Sequence, residues 1–112
     1  MFNFYVKDLE LSENDKNMLM REVSIVFHLA ATVRFDEDIK TSAAINVIAT
    51  NVILNIAKHM PNLKSFIHVS TVYANSHVKC IKECVYTYPI DYRELITLTR
   101  TLPESTIKER TA

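Results

Sequence analysis

The chain contains no glycine in its 112 residues, and this absence restricts its fold more than any other feature. Average usage of about 7% predicts about 8 glycines in a chain of this length. An α/β fold that binds a nucleotide needs glycine where the backbone approaches phosphate. Either the chain has another fold, or the glycine-bearing part of the fold lies outside these residues. The order of strands and helices favours the second interpretation.

Length and charge exclude several classes of protein. At 112 residues the chain forms one domain at most. The 13 basic and 13 acidic residues balance, so nothing predicts nucleic acid as a partner. No apolar run reaches membrane-span length and the N-terminus lacks a signal-peptide pattern, which predicts a soluble intracellular protein or part of one. Cys80 and Cys84 have no second pair, so we interpret them as ordinary intracellular thiols rather than a metal site.

Strands and helices alternate along the chain, which is typical of an α/β protein with a parallel sheet and right-handed crossovers. The predicted order is a strand over 1–6, a helix over 12–22, a strand over 24–30, a helix over 38–60 ended by Pro61, a strand over 64–69 and a helix over 91–100. The strand over 24–30 is apolar on both faces except for one histidine, which predicts a strand covered on both sides. Residues 103–112 are predicted to form a polar loop or frayed end.

Polar residues at the strand end and inside the long helix are candidates for function. Ser70 and Thr71 follow the strand over 64–69, at the end where α/β sheets bind ligands, and a hydroxyl there can hold a substrate carbonyl. The structural alternative is that they are turn or cap hydroxyls. Asn46 projects within the apolar sector of the long helix, so we predict a buried amide whose bonds must be satisfied. It would bond to nearby backbone, or anchor backbone or water beside a reaction centre.

Two histidines could suggest acid–base chemistry. His28 and His68 each lie inside an apolar strand, so we predict satisfied core histidines rather than catalytic ones. The sequence contains no Gly-x-Ser-x-Gly, no His-Glu-x-x-His and no glycine-rich phosphate loop.

Three strings resemble the fatty acyl-CoA reductases of the male-sterility type, which are extended short-chain dehydrogenases. They are VFHLAATVRFDE at 26–37, INVIAT at 45–50 and FIHVSTVYAN at 66–75. The first is quite specific to that family, whereas the second is shared by most extended short-chain dehydrogenases. The resemblance runs from about Asp8 to about Leu102. It implies that residues 1–102 are the central part of a Rossmann-type NAD(P)-binding domain, a partial doubly wound parallel sheet without the first βαβ unit.

The resemblance also implies an activity and roles for named residues. Enzymes of this family reduce a long-chain fatty acyl-CoA to a fatty alcohol with NADPH, through an aldehyde. By motif, the resemblance implies that Asp8 and Leu9 contact the adenine and that Ala30, Ala31 and Thr32 lie along the cofactor. It implies that Asn46 helps to organise the active site. It also implies that Ser70 or Thr71, with Ser70 preferred, polarises the substrate carbonyl.

The sequence departs from the family pattern in ways that bear on activity. The family's glycine-rich loop is expected before Met1 and its Tyr-x-x-x-Lys pair after Ala112, and Lys7 and Ala49 stand where the family usually has glycine. Hydride transfer needs a cofactor held by that loop, and protonation of the developing alkoxide needs that tyrosine. We therefore expect an internal fragment of a reductase that is inactive alone.

Other interpretations remain open. A different extended short-chain dehydrogenase is one, although the string after Ala31 argues against it. Another is a non-catalytic truncated form that pairs with full-length reductase through a bare sheet edge, which would also allow self-association. A gene model that is never translated is a further one. The family suggests association with the peroxisomal or endoplasmic-reticulum membrane through a region that this chain is expected to lack.

Overall fold

A computed structural model describes residues 7–103, 105 and 106 of the chain. Its regular elements are a 3-10 turn Lys7–Glu10, helix α1 (Glu13–Glu22), strand β1 (Ile25–His28), helix α2 (Ile39–Ala57), strand β2 (Ser65–His68), a 3-10 turn Val72–Asn75 and helix α3 (Tyr92–Thr101). The predicted strand over 1–6 lies outside the described residues, as does most of the predicted polar end. The other predicted helices and strands are confirmed, with shorter strands.

Side-chain caps explain where the helices begin. Ser12 Oγ accepts the Asp15 N–H at 3.1 Å at the start of α1, which is the capping bond that the sequence predicts. Asp38 Oδ1 accepts the Thr41 N–H at 2.9 Å at the start of α2. Asp91 Oδ1 accepts the Arg93 N–H at 2.8 Å at the start of α3. Polar residues at these positions therefore define the helix starts locally.

The two described strands form a parallel sheet. Ile25 pairs with Ser65, and the register runs on to the pair His28 and His68. The Val69 N–H extends the ladder by donating to the His28 carbonyl oxygen at 3.0 Å. This arrangement confirms a parallel α/β sheet.

The two faces of β1 differ in burial. His28 is only 2% exposed, whereas Phe27 is 66% exposed and Ile25 is also exposed. The prediction of a strand covered on both faces is therefore wrong for the described residues. Successive side chains of a strand point to opposite faces, and the described helices bury only the face that carries His28.

Helix α2 contains a π-helical turn. It runs as α-helix over Ile39–Ala43, as π-helix over Ala44–Ile48 and again as α-helix over Ala49–Ala57. The predicted end at residue 60 is three residues too late, because turns over 58–59 precede Pro61. A π turn inserts one residue into the helical repeat, so side chains near it depart from regular spacing. Ala49, directly after it, is completely buried.

By length and composition, α2 is apolar enough to cross a membrane. The expectation that nothing in the chain reaches membrane-span length is wrong on this criterion. Core helices of soluble proteins meet the same criterion, and α2 packs against α1 and α3. Helix α2 carries the buried residues Ala43, Ala49, Ile56 and Ala57, although only 17% of its most apolar stretch is buried in the part of the chain that the structure describes.

Candidate functional site

The candidate residues from both strands lie at one edge of the sheet. Ala30, Ala31 and Thr32 follow β1, and Ser70 and Thr71 follow β2. Because β1 and β2 are parallel and end in register, these segments leave the sheet side by side. This is the edge where α/β sheets bind their ligands.

The side chain of Asn46 clamps the backbone of Thr32. The Thr32 N–H donates to Asn46 Oδ1 at 2.9 Å, and Asn46 Nδ2 donates to the Thr32 carbonyl oxygen at 3.2 Å. One carboxamide thus satisfies both backbone groups of a residue 14 positions away. The helix is thereby tied to the segment that follows β1.

The prediction that Asn46 is buried is wrong, because Asn46 is exposed. Its direction was predicted from a regular 100° per residue, and Asn46 lies within the π turn, which breaks that spacing. The prediction that its amide bonds to backbone is confirmed.

A buried histidine extends this contact into the core. His28 Nε2 lies 2.9 Å from Thr50 Oγ1, and Thr50 Oγ1 donates to the Asn46 carbonyl oxygen at 2.9 Å. Burial, and secondly the charge of the neighbouring His68, lower the pKa of His28 below its ordinary 6.5. His28 is therefore the satisfied core histidine that the sequence predicts.

His68 differs from its partner. Its ring stacks on that of His28 with centroids 5.3 Å apart, yet His68 is exposed. The prediction of a core histidine is wrong here, because one neighbouring ring covers only part of the His68 side chain.

The two hydroxyls after β2 have different surroundings. Thr71 Oγ1 accepts the Tyr73 N–H at 3.3 Å and caps the 3-10 turn Val72–Asn75, which is the structural role considered for it. Ser70 is exposed, and its hydroxyl has no hydrogen-bond partner among residues 7–103, 105 and 106. Ser70 is thus the hydroxyl that is open to a ligand at this edge.

A tyrosine from the segment between the 3-10 turn Val72–Asn75 and α3 supports the turn after β2. The Tyr88 hydroxyl donates to the Ala74 carbonyl oxygen at 3.0 Å and also contacts the side chain of Asn75. The rings of Tyr88 and His77 meet edge to face with centroids 5.4 Å apart. Sequence reasoning missed this contact, because no periodic pattern links Tyr88 to the turn.

An apolar cavity runs along β1. Its volume is about 350 Å³, and both Leu9 and Ala30 line it, together with residues of α1 and α2. The structure therefore brings together two residues that the resemblance places at the cofactor. Leu9 is 4% exposed. The Asp8 side chain lies outside the part of the chain that the structure describes.

The backbone at this end of the cavity is left-handed at two consecutive residues. Leu9 has φ 58° and Glu10 has φ 59°. Non-glycine residues rarely adopt this conformation.

Cys80 and Cys84 are exposed free thiols. Among the described residues there is no group of three or more His, Cys, Asp or Glu side chains that could hold a metal ion.

A parallel strand pair joined by a crossover helix, with an apolar cavity and polar residues at one strand edge, defines a partial Rossmann-like α/β unit of the nicotinamide-binding class. The family model described as "Male sterility protein", an NAD-binding family, matches residues 3–109. The chain belongs to this family.

Curated relatives at 38–47% identity carry the name fatty acyl-CoA reductase. Fatty acyl-CoA reductase 1 of Xenopus laevis is 42% identical over 104 residues, which is 93% of this chain and 20% of that protein. The human reductase 1 is 47% identical over 88 residues, covering 79% of this chain and 17% of that protein. The human reductase 2 is 38% identical over 104 residues, covering 93% of this chain and 20% of that protein. No solved structure matches the chain.

The chain thus spans about a fifth of the length of the relatives it matches.

Proposed function

We propose that residues 1–102 form the central part of the NAD(P)-binding domain of a fatty acyl-CoA reductase. In this proposal the protein's activity is reduction of a long-chain fatty acyl-CoA to a fatty alcohol with NADPH. The observation that carries it is the Asn46 clamp on Thr32, which holds the strand end beside the cavity that Leu9 and Ala30 line. The names of the relatives support the acyl-CoA substrate.

The cavity fits part of a nicotinamide cofactor. Pockets for small ligands are mostly apolar and about 300–1,000 Å³ in volume, and this one measures about 350 Å³. We assign Leu9 and Asp8 to the adenine end, and Ala30, Ala31 and Thr32 to contact along the cofactor. The small alanine side chains would allow close approach to the β1 end. When bound, the cofactor would supply the hydride for reduction.

The hydroxyls after β2 serve the substrate in this proposal. Ser70 would donate a hydrogen bond to the substrate carbonyl, because its hydroxyl is exposed and has no partner among the described residues. Thr71 is the second choice, since its oxygen already accepts the Tyr73 N–H. Asn46 organises the site by holding the Thr32 backbone.

Because this sequence contains no glycine-rich phosphate loop, the 112 residues alone should bind the cofactor weakly and turn over no substrate. None of the 5 tyrosines has a lysine four residues on, so this sequence offers no Tyr-x-x-x-Lys pair to protonate an alkoxide. We propose an intracellular protein, associated with peroxisomal or endoplasmic-reticulum membrane. Fluorescence imaging of a tagged full-length reductase that contains these residues, against organelle markers, tests that location.

Cofactor titration tests the assignment. NADPH and NADH are titrated into the chain by calorimetry, beside Ala30→Leu and the control Ala74→Leu on the exposed turn after β2. Ala30→Leu should weaken binding about tenfold, because overpacking costs about 1–3 kcal/mol, and the control should not. Equal affinities in all three proteins, or tighter NADH binding, would contradict the assignment.

Substrate turnover is tested separately. Palmitoyl-CoA with NADPH should give no alcohol above the rate without protein. Turnover that Ser70→Ala together with Thr71→Ala abolishes would refute inactivity of the 112 residues and support the substrate role.

The open face of β1 favours a second candidate function. Ile25, Phe27 and Leu29 expose apolar side chains on or next to a strand with a free edge among the described residues. This observation supports a non-catalytic form that pairs with the full-length reductase, or with itself. Co-purification with full-length reductase, and light scattering of the chain alone, test the two forms of pairing. Phe27→Lys should abolish either one.

A further inference from the structure

Proton counting assigns the tautomer of His28. A threonine hydroxyl has one proton to donate and two lone pairs that accept. The Thr50 hydroxyl donates its proton to the Asn46 carbonyl oxygen at 2.9 Å. Its contact with His28 Nε2, also 2.9 Å, must therefore be one that the hydroxyl accepts. The neutral His28 ring then carries its proton on Nε2.

The hydrogen bonds from His28 continue to the β1 end. His28 Nε2 donates to Thr50, Thr50 donates to the backbone of Asn46, and the Asn46 amide bonds to both backbone groups of Thr32. The path begins on β1, crosses to α2 and returns to the segment four residues beyond His28. It therefore closes a loop between strand and helix.

The π turn explains why Asn46 needs the hydrogen bonds of His28 and Thr50 in addition to those of the helix. A π turn shifts the pairing of carbonyl and amide groups by one residue, so the helix does not hold Asn46 in regular register. The Thr50 hydroxyl bonds to the Asn46 carbonyl from one turn on, and the buried His28 ring holds that hydroxyl. If the residue at position 28 served only to pack the apolar strand, an apolar side chain would do so without the cost of burying a polar ring.

We propose that His28 and Thr50 are positioning residues that hold Asn46 where its amide meets the Thr32 backbone. They thereby place the segment over 30–32 at the sheet edge. That this segment lies along a nicotinamide cofactor rests on the proposed function, whereas the positioning itself does not.

Amide exchange in the ¹⁵N-labelled 112-residue chain tests the positioning. Thr50→Val removes the hydroxyl and keeps the side-chain shape, whereas Thr50→Ser keeps the hydroxyl. Thr97→Val is the matched control, because Thr97 Oγ1 makes the same bond to a carbonyl four residues back, at 2.9 Å, at an exposed position of α3. The reporter is the Thr32 amide, and the Val69 amide, bonded to the His28 carbonyl, reports on the sheet.

Thr50→Val should speed exchange of the Thr32 amide about two- to tenfold, the range expected for one hydrogen bond. The Val69 amide should be unchanged, and Thr50→Ser and Thr97→Val should resemble wild type. Equal acceleration at Thr32 and Val69 would show a merely structural role and overturn the proposal. An unchanged Thr32 amide in Thr50→Val would overturn it as well.

Ring nitrogen shifts and cofactor affinity complete the test. The ¹⁵N spectrum of His28 should show a protonated Nε2 at neutral pH, and a protonated Nδ1 would overturn the assigned path. His28→Gln, whose amide can replace the Nε2 donor, should keep the slow Thr32 exchange that His28→Leu loses.

If NADPH binds to the chain, Thr50→Val should weaken the affinity for NADPH about two- to tenfold. Selective Thr32 exchange without NADPH binding would support the positioning and refute the proposed cofactor role.

Discussion

The two strand ends at the candidate site are held in opposite ways. The segment after β1 is fixed from outside, by the Asn46 amide of α2 on the Thr32 backbone. The segment after β2 is held mainly by its own turn, capped by Thr71, with contacts from the Tyr88 side chain. The first end has small side chains and a backbone that is hydrogen-bonded to α2. The second end leaves the Ser70 hydroxyl exposed.

The difference suggests a division of work within the proposed site. A cofactor needs a strand end of fixed position, and packed helix contacts can supply this. A substrate carbonyl needs a reachable hydroxyl, and a locally capped turn presents one without burying it. If the contacts reflect the energetics, substitutions at the β1 end should lower stability more than substitutions at the β2 end.

The largest difference in the loss of stability is expected between substitutions of His28 and His68, the last residues of β1 and β2. His28→Ala should destabilise the chain by about 2–4 kcal/mol, because it removes a buried ring and leaves the Thr50 hydroxyl without its donor. His68→Ala, at the paired position, should change stability by less than about 0.5 kcal/mol, as expected for an exposed site. Urea unfolding followed by circular dichroism measures both. Similar losses in the two variants would mean that the ends do not differ.

Removing the clamp should have the next largest effect. Asn46→Ala deletes two hydrogen bonds to Thr32 and should cost about 1–2 kcal/mol. Asn55→Ala is the control on the same helix, because Asn55 is exposed and its side chain makes no hydrogen bond to a described residue. The difference in urea midpoint between these variants isolates the clamp. Equal urea midpoints in the two variants would show that the hydrogen bonds of Asn46 to Thr32 do not contribute to stability.

Acid should lower the stability of the fold through His28, the last residue of β1. The pKa of His28 is lowered in the folded state, so the unfolded chain binds more protons as pH falls below the ordinary value of 6.5. Stability from the neutral ring is complete above that pH and is lost as pH falls toward the folded pKa. Unfolding at about pH 7.5 and at about pH 5.5 should show this loss, and His28→Gln should remove it. A loss that persists in His28→Gln would assign it to other groups.

The smallest effects are expected at the β2 end. Thr71→Val removes the cap of the 3-10 turn and should cost about 0.5–1 kcal/mol. Ser70→Ala should change stability by less than about 0.5 kcal/mol, since the Ser70 side chain is exposed. Thermal unfolding of both variants checks this order. A larger loss for Ser70→Ala would show a structural role and weaken its assignment to substrate.

Local signals in the sequence predicted the elements well. Ser12 and Asp91 are helix caps whose effect depends on the next few residues, so these helix starts follow from short-range chemistry. Pro61 places the end of α2 only to within three residues, because the helix already ends at Ala57. The strand over 64–69 was likewise recognisable from its apolar run. Short-range rules thus account for the order of the sheet and its helices.

Features that depend on the helix path or on distant contacts were not predictable. The direction of Asn46 depends on a π turn that no residue type announces. The open face of β1 depends on which elements cover it, which an apolar run does not specify. Tyr88 reaches the β2 end from an irregular segment without periodicity. The functional roles of all the site residues stay predictions, namely those of Asp8, Leu9, Ala30, Ala31, Thr32, Asn46, Ser70 and Thr71.

The left-handed backbone at Leu9 and Glu10 gives this glycine-free chain an unusual mutational profile. Across helices and strands, a change to glycine widens the unfolded ensemble and should lower stability by about 0.5–1 kcal/mol. At these two positions the left-handed conformation itself costs an L-residue about 1–2 kcal/mol, and both residues have φ near 60°. Selection for stability alone would therefore favour glycine at Leu9 and Glu10, although the sequence contains no glycine.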